Sequence, residues 1–503
     1  MNDLTAVREV WASRTTARSR TDLLYLVYLV AMSVLVLGIP ALNGAGQLLA
    51  RPDVLPALGS AHAPQAITAA TLAAAAIAVQ AGAVRGPALM APFLIATLAS
   101  SGLRRRDVLR RPFGRALLVP VTALAVPAAL AGTTLSAADL ADAAGVALFV
   151  LAAAGTGLLL AAAWLAGQLL HRMPARLLLC ALLLGAAVLS AIAPVGLGLG
   201  AAHPAGPDPS LPWALGLAAA GLLATVVGIR LLDRLRGAVL REQAARWESA
   251  GTLATTGDLA GAAGGFRPPP TAGRRLPAIG PRPLVLLYAR RDAIAWLRSP
   301  ERLAAGVLAG LVGAALLAVS TLLTGPTAWG AVVLGSAVLW GAGSAGADGM
   351  RHGIQTLGAP MLLGQTAAMQ VLLHATAPAV LMGTIAALGG GGGLLLAGGT
   401  LELSGLALPV LLALVLVAAR ARDAAKGPMP LSLMTPIPTP QGDLSVLSVL
   451  VWQADALLLA VLAGAVLAGL LMLLGPVAML LGAGALLGAM AAMTRARLRA
   501  LRG

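Results

Sequence analysis

The stretch SSGLRRRDVLRRPFGR, from Ser100 to Arg115, sets six arginines (Arg104, Arg105, Arg106, Arg110, Arg111 and Arg115) around one carboxylate, Asp107, between two long apolar segments. Such a row of guanidinium groups offers electrostatic docking to an acidic surface. It is too short to be a domain and too charged to enter a bilayer, so it reads as a tight basic turn on the cytoplasmic surface. A second stretch, GMRHGIQTLGAPMLLGQ from Gly349, has the same plan on fewer charges: Asp348, Arg351 and His352, with Pro360 where the first has Pro112. Two further ionisable residues lie in apolar segments: His374, mid-span, and Asp455, near the inner end of another span. Ionisable groups at membrane depth are costly and often functional. An interhelical hydrogen bond is the expected role of His374; helix capping or an interfacial position is expected for Asp455.

Other chemistries lack their residues. There is no G-x-x-x-x-G-K-[ST] motif, and Lys426, the one lysine, sits among Pro and Gly, so no nucleotide site of that kind is encoded. The histidines His62, His171, His203, His352 and His374 are scattered without metal-binding spacing. Cys180 is the one cysteine, which excludes a disulfide framework or a Cys-based zinc site within one chain. The expectation is a chain that is not an enzyme and has no catalytic residue, metal or cofactor of its own.

The elements that must position these residues are membrane spans. Of 503 residues 59% are hydrophobic and 11% charged, whereas soluble chains carry roughly 25% charged residues. Apolar runs near or above the ~20 residues that cross a bilayer dominate, and the short alternating segments of a β-barrel are absent. The fold class is therefore all-α, a polytopic membrane protein of about twelve spans. The net charge of +16 does not indicate nucleic acid, because the arginines cluster at span ends and aromatics are few. The strong preference for Arg over Lys fits a GC-rich bacterial source.

In the first half, spans are expected at Leu23–Leu42, within the run Ile67–Ser100, and at Ala116–Ala131, Ala144–Leu170, Leu177–Leu197 and Trp213–Leu232. Arg85-Gly86-Pro87 interrupts the second run; a short outer helix followed by the span would put Arg85 near the outer edge. In the second half they are expected at Leu303–Leu323, Trp329–Ala347, Thr366–Leu388, Leu403–Ala419, Val449–Leu470 and Leu474–Met493, with Gly389–Gly393 as an outer loop and Arg420–Gly442 as a Pro-broken inner loop. Leu4, Val7 and Trp11 form one face of an interfacial helix, and Leu284–Leu297 repeats that character before the second half. Between the halves, DRLRGAVLREQAARWESA should continue the sixth span as an exposed helix, followed by a flexible linker. The domains are thus 1–232, 233–282 and 283–503, the outer two being parallel six-span repeats with pseudo-twofold symmetry. With both termini cytoplasmic, 33 of the 35 Lys and Arg residues fall in inner segments, leaving Arg51 and Arg85. The opposite orientation would violate the positive-inside bias. Gly306/Gly310 and Gly484/Gly488 have spacing that permits close helix packing.

This order of elements resembles a permease of the type-2 ABC exporters. The residues that carry the resemblance are Arg104, Asp107, Arg110 and Pro112, then Asp348, Arg351, His352 and Pro360, with the amphipathic helices at Leu4–Trp11 and Leu284–Leu297. It departs from the usual single six-span unit in fusing two. The resemblance implies ATP-driven export across a bacterial plasma membrane. ATP and Mg would be handled by a separate cytoplasmic ABC ATPase subunit, in two copies docked on the two turns, with Arg111 and its neighbours making the more electrostatic contact. The cargo would be hydrophobic or amphiphilic: a lipid, a natural product or a peptide. The alternatives are an ion-coupled secondary transporter, for which Asp455 would matter, and an intramembrane enzyme acting on lipid-linked substrates.

Overall fold

The computed structural model describes residues 20–501, except 99–100, 192, 194–195, 206–210, 256–260, 262–263, 267–272, 274–275, 278–279, 281–282, 357–363, 428, 436–437, 440–441 and 444. The expected helix at Leu4–Trp11, Pro360 and much of the linker lie outside the described residues. Those that are described are helical or in connecting turns, apart from one antiparallel pairing of Pro438–Thr439 with Gly442–Asp443. The chain divides into two compact units, Met1–Phe266 and Arg267–Gly503. Among the described residues eleven helices are long and apolar enough to cross a membrane, six in the first unit and five in the second.

In the first unit, α1 (Arg20–Ser33) runs through a π-helical turn (Val34–Gly38) into α2 (Ile39–Leu49). A short α3 (Leu55–Leu58) leads to α4 (Ala63–Val84), α5 (Pro92–Leu98), α6 (Arg105–Ala137), α7 (Ala143–Leu169), α8 (Met173–Ala191), α9 (Leu211–Leu231) and α10 (Gly237–Thr255). Helix α7 is the centre: it packs on α4, α6 and α9, and α4 also packs on α8. Small residues make this possible. A Cβ at Gly167 would overlap the Val79 carbonyl, and one at Gly82 the Trp164 carbonyl, so α4 and α7 cross backbone to backbone.

The interrupted second run resolves differently from the expectation. The span is its first part, α4, and Arg85 stands at the same end of the unit as the Arg-rich turn, not at the opposite edge. The Arg-rich stretch is also no separate turn helix. It is the beginning of α6, a continuous helix of 33 residues that passes through Pro112, Pro120 and Pro127. At 1.5 Å per residue α6 is about 50 Å long, against roughly 30 Å of bilayer core. Its first turns therefore project past the apolar layer. Proline should disfavour a helix interior; here Val108, Leu109 and Phe113 bury one face of the projecting part against Leu165, Leu232, Leu235 and Leu240, and that burial outweighs it. At about 2 kcal/mol per large apolar side chain the gain exceeds the ~3 kcal/mol cost of one proline.

In the second unit, α11 (Leu284–Leu297) precedes α12 (Pro300–Val319), α13 (Gly325–Ala342), α14 (Asp348–Gln355), α15 (Ala367–Leu396), α16 (Leu403–Ala424), α17 (Ser445–Leu474) and α18 (Pro476–Ala500). The expected span at Trp329–Ala347 forms as α13, which is uncharged but has only 18 residues, several of them Gly, Ser, Thr or Trp; it is the one expected span not among the eleven. The packed pairs are α12 with α13, α15 and α16, α13 with α17, α15 with α11, α14 and α16, α16 with α17 and α18, and α17 with α18. Gly389–Gly393, expected as an outer loop, is helical inside α15. Five glycines would weaken an isolated helix by about 1 kcal/mol each. The compensation is close approach: a Cβ at Gly389 would lie 2.5 Å from the Leu311 carbonyl oxygen, and one at Gly393 2.7 Å from Ala315 Cα, both on α12. Of the spaced glycine pairs, Gly310 meets Ile385, whereas Gly484 and Gly488 have no neighbouring atom within 4 Å and do not mediate packing.

Candidate functional site: the charged ends of the two units

In the first unit, Arg104 caps α6 with extended backbone and an exposed side chain. Arg105 donates to the Leu235 carbonyl, which closes the chain after α9 onto α6. Asp233 accepts the backbone N–H of Arg106 at 2.9 Å and lies 3.7 Å from its Nε. Asp107 sits in the first turn, a favourable place for a carboxylate. Arg110 and Arg111 are exposed and, among the described residues, have no ion-pair partner.

Behind this turn lies a neutral knot that the sequence did not disclose. The segment Gly82–Ala88 leaves α4 with unpaired backbone groups. Buried Gln243 on α10 donates to the carbonyls of Gly82 and Ala83, both at 3.0 Å, and accepts from Gly86 N–H at 3.2 Å. Buried Gln168 on α7 donates to Gln243 Oε1 at 3.0 Å and brackets Ala88 N–H and carbonyl. Trp164 Nε1 donates to the Arg85 carbonyl at 2.6 Å, and the Arg85 guanidinium stacks 4.1 Å above Trp247 of α10. Helix α10, expected as an exposed continuation of the sixth span, is instead folded onto this segment, with Leu240 and Ala244 buried. The buried amides must be satisfied somewhere, and the broken end of α4 supplies the matching groups.

The second unit spends its charges differently. Asp348, at the start of α14, is paired with Arg302 of α12, and Arg302 also donates to the Ser344 carbonyl. Arg351 of α14 is 3.2 Å from Asp423 of α16; His352 is exposed. Asp455 is neither a helix cap nor a free carboxylate. It receives Arg422 at 2.8 Å, Lys426 at 2.5 Å and Arg497 at 3.4 Å, which ties α16 and α18 to α17. The expected loop from Arg420 begins later than the sequence suggested, because α16 continues to Ala424 and carries Arg420 and Arg422 inward. Arg420 is buried, stacks 3.4 Å from the Trp340 ring centroid and donates to the Trp340 carbonyl.

His374 makes the interhelical bond expected of it, and its partner is Asp292 of α11. Nδ1 lies 2.8 and 3.0 Å from the two carboxylate oxygens, with both residues buried. Tyr288 stands edge-on to the imidazole at 4.7 Å and donates to Gln365 at 2.8 Å. Tyr288 and Asp292 are four residues apart on one face of α11, and this spacing is the signal by which the pair could have been found. His374 Nε2 is buried without a partner among the described residues. Arg104 to Arg111 thus lie in one unit and Asp348, Arg351 and His352 on α14 of the other; α14 packs at Gly349 and Gly353 against His374, whereas Asp455 is held apart by Arg422, Lys426 and Arg497. Among the described residues no group of three His, Cys, Asp or Glu could hold a metal.

No protein-family model, curated protein or solved structure matches this chain.

Proposed function

We propose that the chain is the membrane-spanning permease of an ATP-driven ABC exporter, in a bacterial plasma membrane with both termini cytoplasmic. A separate ATPase subunit, in two copies, would bind and hydrolyse ATP with Mg and dock on the two charged ends. The cargo is a hydrophobic or amphiphilic molecule, since the spans carry few charges outside the paired clusters. The observation that carries this reading is the projecting start of α6, where Arg104 and Arg111 are exposed and free of ion pairs among the described residues. Charge displayed in this way is available to an acidic groove and favours fast, specific association. The two units also favour a duplicated plan: in each, the second span-like helix packs on the fifth, the third on the fourth and the fourth on the sixth.

The test is affinity purification of the tagged chain from its native membrane in mild detergent, with mass spectrometry of what accompanies it. A stoichiometric ATP-binding subunit, lost from the Arg104→Glu/Arg111→Glu variant, is the expected result. Recovery of the intact chain alone would defeat the proposal. One observation favours a second reading, an ion-coupled carrier: the buried Asp292–His374 pair with its open Nε2. Uptake into vesicles driven by a proton gradient without ATP, abolished in His374→Gln, would select it.

A further inference from the structure

At the charged end of the first unit an open cleft of about 350 Å³ lies between α6 and α9. Its lining is Arg106, Asp107 and Arg110 from α6 with Val226, Ile229 and Arg230 from α9. Three guanidinium groups face one carboxylate. Arg106 is held at the rim by Asp233. Arg110 and Arg230 are exposed and have no ion-pair partner among the described residues. The residues sit at helical spacing, 106 and 110 on one helix and 226, 229 and 230 on the other, so each helix turns one continuous face to the cleft.

From the cleft an apolar surface leads away from the charged end. Leu222, Leu223, Val226 and Val227 are exposed along α9, and Leu118 and Val119 along α6. The cleft therefore has a cationic mouth and hydrocarbon-like walls below it. An acidic protein segment would match the mouth and leave those walls bare. A soluble phosphate would do the same.

We propose that this cleft binds an anionic phospholipid, with its phosphate between Arg110 and Arg230 and its acyl chains along the exposed leucines and valines. Guanidinium forks pair bidentately with phosphate oxygens, and basic pockets between spans suit anionic head groups. A zwitterionic choline lipid would bring a further cation against three arginines and is disfavoured. This inference needs the helices to span a bilayer. It does not need the exporter reading, because the assay below contains no ATPase.

The experiment uses the full chain in neutral detergent, with phosphatidylglycerol, phosphatidylcholine or glycerol 3-phosphate added. Bound lipid is counted by native mass spectrometry, and thermal unfolding in phosphatidylcholine checks that each variant folds. The expected result is one retained phosphatidylglycerol per chain, with affinity lowered roughly thirtyfold in Arg110→Ala/Arg230→Ala, at about 1 kcal/mol per arginine. Arg111→Ala/Arg115→Ala removes the same charge outside the cleft and leaves binding unchanged. If the alanine pair does not fold, Arg110→Lys/Arg230→Lys, which keeps charge and loses the fork, is expected to bind at an intermediate level. Equal losses in the two alanine pairs would reduce the effect to general attraction and overturn the site. So would phosphatidylcholine binding as well as phosphatidylglycerol, or glycerol 3-phosphate displacing the lipid at matched concentration.

Discussion

The charged ends of the two units solve one problem, holding helix ends together at a polar boundary, with different chemistry. The first unit uses neutral amides, Gln168 and Gln243, to satisfy the broken backbone between Gly82 and Ala88, and leaves most of its arginines on display. The second uses ion pairs, Arg302–Asp348, Arg351–Asp423 and the three cations around Asp455, and of the charged residues described in its turn leaves His352 exposed. Six arginines against one at the two turns is therefore only part of the difference. At the two turns, Arg104, Arg110, Arg111 and Arg115 of the first unit are presented outward, whereas Asp348 and Arg351 of the second are engaged in ion pairs.

Removing Asp455 tests the contrast most severely. Asp455→Ala leaves three cations facing one another, and breaking such a partly buried cluster costs about 3 kcal/mol. Thermal unfolding in detergent should show the largest fall of any single substitution at these ends; an unchanged midpoint would mean the cluster is not structural. Gln243→Ala strands two carbonyls, one N–H and the amide of Gln168 in the first unit, and should cost about 2 kcal/mol. It should also raise hydrogen exchange at Gly82–Ala88; protection equal to the parent would refute the knot. Asp233→Asn removes the ion pair with Arg106, whose two side chains are 37% and 39% exposed, and should cost no more than about 1 kcal/mol. A loss as large as that of Asp455→Ala would erase the distinction between the units.

The smallest effect lies at the opposite end of the first unit. His203 is buried edge-on to Phe149, and burial holds its imidazole below the ordinary value of 6.5. The unfolded chain thus binds the proton more readily than the folded one. Stability tied to this residue is complete above that ordinary value and is lost as pH falls through it toward the lower folded value. The midpoint should drop between about pH 7.5 and about pH 5, and the drop should shrink in His203→Phe. A slope unaltered by the substitution would assign the acid sensitivity elsewhere.

The helical, membrane-crossing class was legible because hydrophobicity over some twenty residues is a strong signal, and most expected spans lie within the helices found. What escaped reading is short-range or tertiary. Gln168 and Gln243 have neither charge nor a distinctive hydropathy, so nothing marked them as partners of a broken helix end 80 or more residues away. Pro112 signals a stop locally, but Phe113 and Leu109 bury and carry the helix through it. Gly389–Gly393 looks like a loop until α12 is placed against it. Arg420 and Arg422 sit beside a Pro-rich loop in sequence and inside a helix in space. Of the candidate residues, His374 and Asp455 were marked by their depth, and their partners were not.

The glycine positions in α15 and α18 bear on any attempt to make this protein more heat-resistant. Exchanging helical Gly for Ala is an ordinary thermostabilising step, gaining up to about 1 kcal/mol of chain entropy and propensity. Here one rule gives opposite signs along the chain. At Gly484 and Gly488 the added methyl meets nothing within 4 Å and the exchange should raise the melting point. At Gly389 and Gly393 the same methyl would collide with the α12 backbone, so the most conservative substitution available to an engineer becomes one of the most disruptive.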